Sequence, residues 1–419
     1  MKVVCTTRLP DQLADETIYF CLYSKEKHHT DRIGYIAPTF YQDLKKKGIK
    51  PSNSVRDFAS LAFSVAAADE ALSRDNAVDG WTRMIDLTVD MIDPEPWFPI
   101  VDSIQNTLRF LSGDFWTIHL HRQPDQHQFN YESIQYDADS VCLLSGGTDS
   151  LIGAINMVED GKRPIFISRV VRGDSEAQQT FAYRLGSPEN HFQWSCTICK
   201  PTGFSEPSTR ARSIIFFAYA VIASSIIDNN GIKVPIVVPE NGFISLNPSL
   251  NVSRLSSLST RTTHPVYMKG IQFILDTLGI NAALCLPYQF KTKGEMILEC
   301  QNKYLLNELI DSSISCGKYR RHNYCHCGVC VPCLVRRASY LHAGLEDHTE
   351  YRMTPSHETL SPDTTAVACA VLRYREQGIR SFTSGMLTFA SREERPEYAG
   401  VIARGLNELG ALLEGYGVI

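Results

Sequence analysis

The sequence has no apolar run long enough to cross a bilayer. Its most apolar stretch, SIIFFAYAVIASSIID from Ser213, is shorter than the roughly 20 residues of a spanning helix and follows Arg210 and Arg212. It reads as a buried core helix, and no membrane partner is expected. An excess of positive charge is missing too. Lysine and arginine number 41 against 46 aspartate and glutamate, a formal net charge of -5, so no global field draws the chain to nucleic acid. The opening MKVVCTTRLPDQLADETIYF has no cationic segment leading into an apolar run and a small-residue cleavage site, from which a cytoplasmic location is expected. Internal repeats and low-complexity segments are absent as well.

What is present is the composition of a chain that buries a core, with 43% hydrophobic and 21% charged residues. A length of 419 residues suits two domains, or one with large extensions. Thirteen cysteines without an export signal point to thiols and metal ligands before disulfides.

Residues 1–138 read as an α+β extension of unknown role. Residues 3–6 and 17–22 are candidate strands, 54–72 have apolar residues at helical spacing, and 81–92 and 115–121 alternate in strand fashion. His119 and His121 alternate on the last of these and read as structural rather than metal-binding. From Asp139 the pattern changes to apolar strands (141–144, 164–168, 192–198, 235–239) alternating with helices (149–159, 175–185, 212–228). That alternation predicts an α/β core over 139–345 with a doubly wound parallel sheet. A helix is expected over 293–309, and residues 346–419 read as a helical C-terminal extension.

After the strand VCLL comes Ser145-Gly146-Gly147-Thr148-Asp149-Ser150, then a helical stretch. Adjacent glycines let backbone N–H groups approach an anion because no Cβ stands in the way, and a following helix presents its positive end to the same place. Ser145, Thr148 and Ser150 add hydroxyl donors. Asp149 suits a helix cap, a ligand for a magnesium ion that neutralises phosphates, or both. The Gly-Lys-Ser/Thr ending of a Walker loop is missing, which argues against transfer of a γ-phosphate.

Farther on, Cys316, Cys327, Cys330 and Cys333 offer four thiols, three of them at two-residue spacing around a glycine turn. Four sulfurs favour zinc in a closed structural site. Cys325, His322 and His326 lie within the same segment, and Cys325 or a histidine is the alternative to Cys316 as fourth ligand.

The hexad SGGTDS resembles the PP-loop of the ATP pyrophosphatase superfamily, and its combination with C-x10-CGxCxxC-xx-R resembles the 7-cyano-7-deazaguanine synthase (QueC) family over about half of the chain. The resemblance implies that ATP adenylates the carboxylate of 7-carboxy-7-deazaguanine, releasing pyrophosphate, and that an amine captures the acyl adenylate. It implies ATP contacts by Leu144 to Ser150 and by Arg210, Arg212 and Ser213 in STRARS, with Ser145, Asp149, Ser150 and Lys293 in the catalytic set. Glu240 and Asn241 in ENGFISLN stand at a strand end where a carboxylate would suit a deazaguanine, and Arg261 and His264 in STRTTHP are further candidates for substrate. The added segments make the chain similar to the long QueC-like branch of anti-phage defence systems (QatC-like). This placement implies a small deazapurine substrate and an operon-encoded partner protein, with a homodimer as the other use of the extensions.

Overall fold

The computed structural model describes residues 2–24, 30–123, 134, 136–170, 173–250, 261–356 and 360–419. Its eleven strands are β1 (Lys2–Thr6), β2 (Thr17–Leu22), β3 (Ile33–Pro38), β4 (Met84–Met91), β5 (Phe115–Arg122), β6 (Ser140–Leu143), β7 (Pro164–Arg169), β8 (His191–Trp194), β9 (Cys196–Cys199), β10 (Val234–Val237) and β11 (Ala282–Cys285). They form a six-stranded sheet of order β5-β4-β1-β2-β3-β9 and a five-stranded sheet of order β11-β10-β6-β7-β8. In the first, β1 to β5 pair in parallel and β9 is antiparallel to β3. The protein is thus α/β with mostly parallel, mixed pairing, and the strand order of the second sheet is compatible with a doubly wound fold.

Two compact units divide the chain, and neither follows the order of the sequence. The first comprises Met1–Val141, Gln193–Ile236 and Thr260–Leu284; the second comprises Cys142–Phe192, Val237–Ser259 and Cys285–Ile419. Residues 1–138, which the sequence sets apart as α+β, therefore share a unit with later segments, and their strands run parallel. The expected strand over 192–198 breaks at Ser195, its two halves joining different sheets as β8 and β9.

In the first unit, the helix Asn53–Ala71 is buried on nearly every face and packs against β2, β4 and the helix Ile214–Ser224. A buried ion network closes this core. Arg83 donates through Nη2 to Asp69 Oδ1 at 2.5 Å and to Asp114 Oδ2 at 2.6 Å, and Arg74 reaches Asp114 Oδ1 at 2.8 Å. Asp69 Oδ2 also accepts the N–H groups of Arg210 and Ala211, each at 2.7 Å. Those two N–H groups are engaged outside any helix, so the helix expected from 212 begins at Ile214.

The second unit contains the chain from β6 into the helix Thr148–Glu159, the four-cysteine segment and the C-terminal helices. The helices Pro362–Phe382 and Glu394–Gly415 pack on Val331–Ala343, with Leu334, Val335, Val367, Val371, Leu406 and Leu413 in one buried cluster. The helix expected over 293–309 is two, Lys293–Glu299 and Lys303–Leu309, because Cys300 is extended and Asn302 caps a new start by accepting the Leu305 N–H. Among the described residues, no helix is long and apolar enough to cross a membrane.

Candidate functional site

The chain leaves β6 through buried Leu144 and turns at Ser145, Gly146 and Gly147 into the helix Thr148–Glu159. Gly146 has φ +89°, a left-handed conformation that costs glycine little and other residues more. The turn is held from several sides. Ser168 donates to the Leu144 carbonyl at 2.6 Å, Gln178 to the Ser145 carbonyl at 3.1 Å, and the Ile314 N–H to the Gly146 carbonyl at 2.9 Å. Ser145 Oγ accepts the Gly147 N–H at 3.3 Å and donates to Ser150 Oγ at 3.1 Å, and Ser150 in turn donates to the Gly147 carbonyl. Ser145 itself is exposed.

Three residues singled out by sequence meet at the first turn of this helix. Lys293 donates to Asp149 Oδ1, while Asn241 donates to Asp149 Oδ2 through its backbone N–H at 3.2 Å and its side-chain amide at 2.7 Å. Asp149 thus has protein partners on both carboxylate oxygens. Asn241 also caps the helix Gly242–Leu246 by accepting the Ile244 N–H, and Glu240, half-buried, directly precedes it. Close packing fixes this cluster: a Cβ on Gly153 would stand 2.2 Å from Pro239 Cβ, and one on Gly242 would stand 2.1 Å from the Gln289 carbonyl oxygen. Lys293 starts a helix with a capping box between Thr292 and Glu295. Thr292 also donates to Glu408, whose burial raises its pKa to about 7.

Arg336 is the residue for which sequence supplies a position but no role. Its guanidinium is fully buried and donates to Thr148 Oγ1 at 3.1 Å, Ser313 Oγ at 2.7 Å, Tyr340 OH at 2.7 Å and the Ile310 carbonyl at 2.9 Å. It ties the helix of Cys333 to the first turn after the glycine pair. Ser313 and Gln178 gave no sequence signal, since single polar residues outside a motif resemble any surface serine or glutamine.

Cys316, Cys327, Cys330 and Cys333 are all buried, and their sulfurs lie within 4.8 Å of one another. Four thiolates on a tetrahedral zinc, each about 2.3 Å from the metal, stand about 3.8 Å apart. Here Cys316 and Cys330, and likewise Cys327 and Cys333, have sulfurs 3.9 Å apart. Backbone N–H groups of Lys318 and Cys327 donate to the Cys316 sulfur and that of Cys330 to the Cys327 sulfur, as a thiolate site requires. Hydrogen bonds from Cys330 and Cys333 hold Cys316 well below the ordinary thiol range. Gly328 has φ +83°, and a Cβ there would meet the Met353 carbonyl oxygen at 2.0 Å, so this turn takes only glycine. The set fits a metal such as zinc. Cys325 faces the His326 and Glu350 carbonyls instead.

The remaining candidates lie in the first unit. Arg210 stacks over Trp81 at 4.5 Å and donates through Nη1 to the Ser112 carbonyl, while its Nε and Nη2 are buried without a hydrogen-bond partner among the described residues. Arg212 is exposed, and Ser213 stands at the N-cap of the helix Ile214–Ser224 without a side-chain capping hydrogen bond. Arg261 donates to the Phe110 carbonyl at 3.1 Å and lies over the Phe110 ring. His264 accepts the Val266 N–H as a helix cap, and burial together with Arg261 lowers its pKa to about 4. Ser259 and Thr260 of the same segment lie outside the described residues.

No protein family matches the chain, and a search of curated proteins finds no match either.

Proposed function

We propose that the protein is an ATP-dependent adenylating ligase of the PP-loop type, which activates the carboxylate of 7-carboxy-7-deazaguanine, releases pyrophosphate and passes the acyl group to an amine. The observation that carries this reading is the turn Ser145 to Ser150. It joins the end of β6 to a helix N-terminus, and β6 is where the order of the five-stranded sheet reverses, with β7 on one side and β10 on the other. Ligands of open α/β sheets collect at such reversals.

In this reading the Gly146 and Gly147 backbone and the hydroxyls of Ser145, Thr148 and Ser150 bind the phosphates. Lys293 supplies positive charge, and Glu240 and Asn241 face the heterocycle. Magnesium would supply further neutralisation of phosphate charge. Because Asp149 is engaged by Lys293 and Asn241, its part is to orient Lys293 rather than to meet the phosphates alone. The zinc set keeps the helix of Arg336 in register with Thr148 and holds no open position for chemistry.

The amine belongs to ammonia or to a partner protein, and we favour the partner, in the setting of anti-phage defence. The protein incubated with ATP, magnesium, 7-carboxy-7-deazaguanine and an ammonium salt is expected to release AMP and pyrophosphate only when ATP, magnesium and the deazaguanine are all present; ATP consumption independent of the deazaguanine sinks the reading. Mass spectrometry of the co-expressed operon partner then identifies the acceptor, since an added deazaguanine mass marks conjugation and free nitrile or amide marks ammonia.

One observation favours a second reading, a PP-loop sulfur transferase. Cys325, outside the metal set, lines a polar cavity of about 290 Å³ together with Ile314, whose N–H bonds to Gly146. A Cys325→Ser variant that keeps full AMP release with the deazaguanine separates the two.

A further inference from the structure

The six-stranded sheet of the first unit has a reversal of its own. From β1 the chain steps to β2 and β3 on one side and then to β4 and β5 on the other, so the order turns between β1 and β4. Parallel sheets ordinarily carry helices and apolar side chains on both faces. Here one face is of that kind, with Val3, Cys5, Leu87, Val89 and Ile118 buried beneath the helices Asn53–Ala71 and Val101–Ser112. The other face carries Lys2, Thr6, Thr88, Asp90, His119 and His121, with Thr88 paired to His119 and Asp90 to His121 across β4 and β5. The connection from β1 to β2, residues 7–16, holds no helix to cover them.

Above this face lies a cavity of about 860 Å³, within the size of small-molecule sites. Its walls differ. Leu9, Pro10, Phe98 and Val101 give an apolar side, while Asp90, His119 and His121 give a polar floor. Asp90 is only 3% exposed, an uncommon setting for a carboxylate in the middle of a sheet. Its Oδ2 accepts Thr6 Oγ1 at 2.6 Å and the Thr7 N–H at 2.8 Å, and these are its hydrogen bonds in the described structure. Oδ1 accepts no hydrogen bond from the described residues. Beside it, Thr7 Oγ1 is buried and makes no hydrogen bond of good geometry among the described residues, although it and His121 lie close enough to Asp90 to favour its charged form. A buried carboxylate with one oxygen committed and a buried unpaired hydroxyl next to it are the polar atoms a ligand would satisfy.

We propose that this cavity is a second small-molecule site, specific for a ribonucleoside, with a sugar hydroxyl donating to Asp90 Oδ1 and the base lying against Leu9, Pro10 and Phe98. The site lacks a backbone cradle for a phosphate, its cations being the side chains of Lys2 and Arg8. Thr7-Arg8-Leu9-Pro10 follows β1 where a glycine turn and helix N-terminus would otherwise stand, and the N–H groups after β4, those of Ile92 and Asp93, are already donated to Asp57 at 2.7 and 3.0 Å. Recognition therefore rests on the sugar and base, and Arg8 is the group that distinguishes a 5′-monophosphate from the free nucleoside.

The test is photolabelling of the full-length chain with 8-azidoadenosine and with its 5′-monophosphate, followed by peptide mapping. Label is expected in the peptides of Leu9–Pro10 and Phe98, is displaced by excess adenosine, and falls about tenfold or more with Asp90→Asn, the loss of one hydrogen bond to a charged group. Adenosine competes there better than 2′,3′-dideoxyadenosine. Arg8→Ala lowers labelling by the monophosphate alone if the nucleotide is the physiological form, and neither reagent if the nucleoside is. Ser145→Ala leaves labelling of these peptides unchanged, which separates this site from the turn after β6. His119→Ala and His121→Ala, both at exposed side chains, give the answer if Asp90→Asn does not fold. Label absent from these peptides, or unaffected in every folded variant of Asp90, His119 and His121, overturns the proposal.

Discussion

The buried guanidinium of Arg336 donates to the hydroxyl of Thr148 at 3.1 Å, joining the helix that begins in the four-cysteine segment to the first residue of the helix after the glycine pair. The metal set and the phosphate-binding candidate are consequently one mechanical assembly, although 188 residues of chain separate the two partners.

Arg336→Met removes the fork and takes one buried donor each from Thr148, Ser313, Tyr340 and the Ile310 carbonyl, which keep only their bonds to one another and to Asp311. A loss of at least about 2 kcal/mol is expected, read as a shifted urea midpoint. Arg336→Lys keeps the charge without the fork and should recover only part of the loss. A midpoint unchanged in both variants would mean that the network contributes nothing to stability.

Ser145 and Asp149 should respond differently. Ser145 is exposed, so Ser145→Ala should reduce pyrophosphate release by about a hundredfold or more while leaving the melting temperature in place. Asp149→Asn should lower activity and stability together, because it leaves the Lys293 ammonium buried without its counter-charge. Adding Lys293→Met to Asp149→Asn should restore stability but not activity. The comparison fails if Asp149→Asn melts like the wild type.

One zinc per chain is expected by elemental analysis. Since a closed thiolate site contributes folding energy, Cys330→Ala or a strong chelator should lower the melting temperature before changing turnover per folded molecule. Iron in place of zinc, or no metal in freshly purified protein, would contradict the assignment.

Glu408 gives the C-terminal helix a pH-dependent hold on the turn that carries Lys293. Burial raises its pKa from an ordinary 4.5 to about 7, so the folded state binds its proton more tightly than the unfolded chain does. The stability it contributes is complete below pH 4.5 and is lost as the pH rises through 7, by at most about 3 kcal/mol. Denaturation midpoints followed from pH 5 to 8 should fall in the wild type and fall less in Glu408→Gln. Parallel curves for the two proteins would assign the change to other groups.

Much of the second unit was legible because its signals are local. An apolar strand, a glycine pair and a helix start are contiguous from 141 to 159, and cysteine spacing carries its own geometry. The N-terminal strands were legible as strands but not as a parallel sheet. Alternation of His119 and His121 with Ile118 and Leu120 suggests a sheet wet on one side, which is commonly antiparallel. The usual mark of a parallel sheet, a helix between successive strands, is missing between β1 and β2. The break at Cys300 was hidden because apolar spacing continues through it, leaving only the Asn302 cap to mark a new start. Arg336 could be placed but not interpreted, since only Tyr340, four residues on along the same helix, is related to it by a regular interval, while Thr148 and Ser313 lie 188 and 23 residues away.

The packing partner of the helix Asn53–Ala71, Ile214–Ser224, and the N–H groups that Asp69 accepts follow it in the chain by some 140 residues. At ordinary elongation rates of about 5–20 residues per second, that is a wait of roughly 7 to 30 s on the ribosome. During this interval a helix that is buried on nearly every face in the finished unit, and the carboxylate of Asp69, lack their native cover. The interleaved order of the two units thus delays the first unit, whose core closes only once residues 210–224 have emerged.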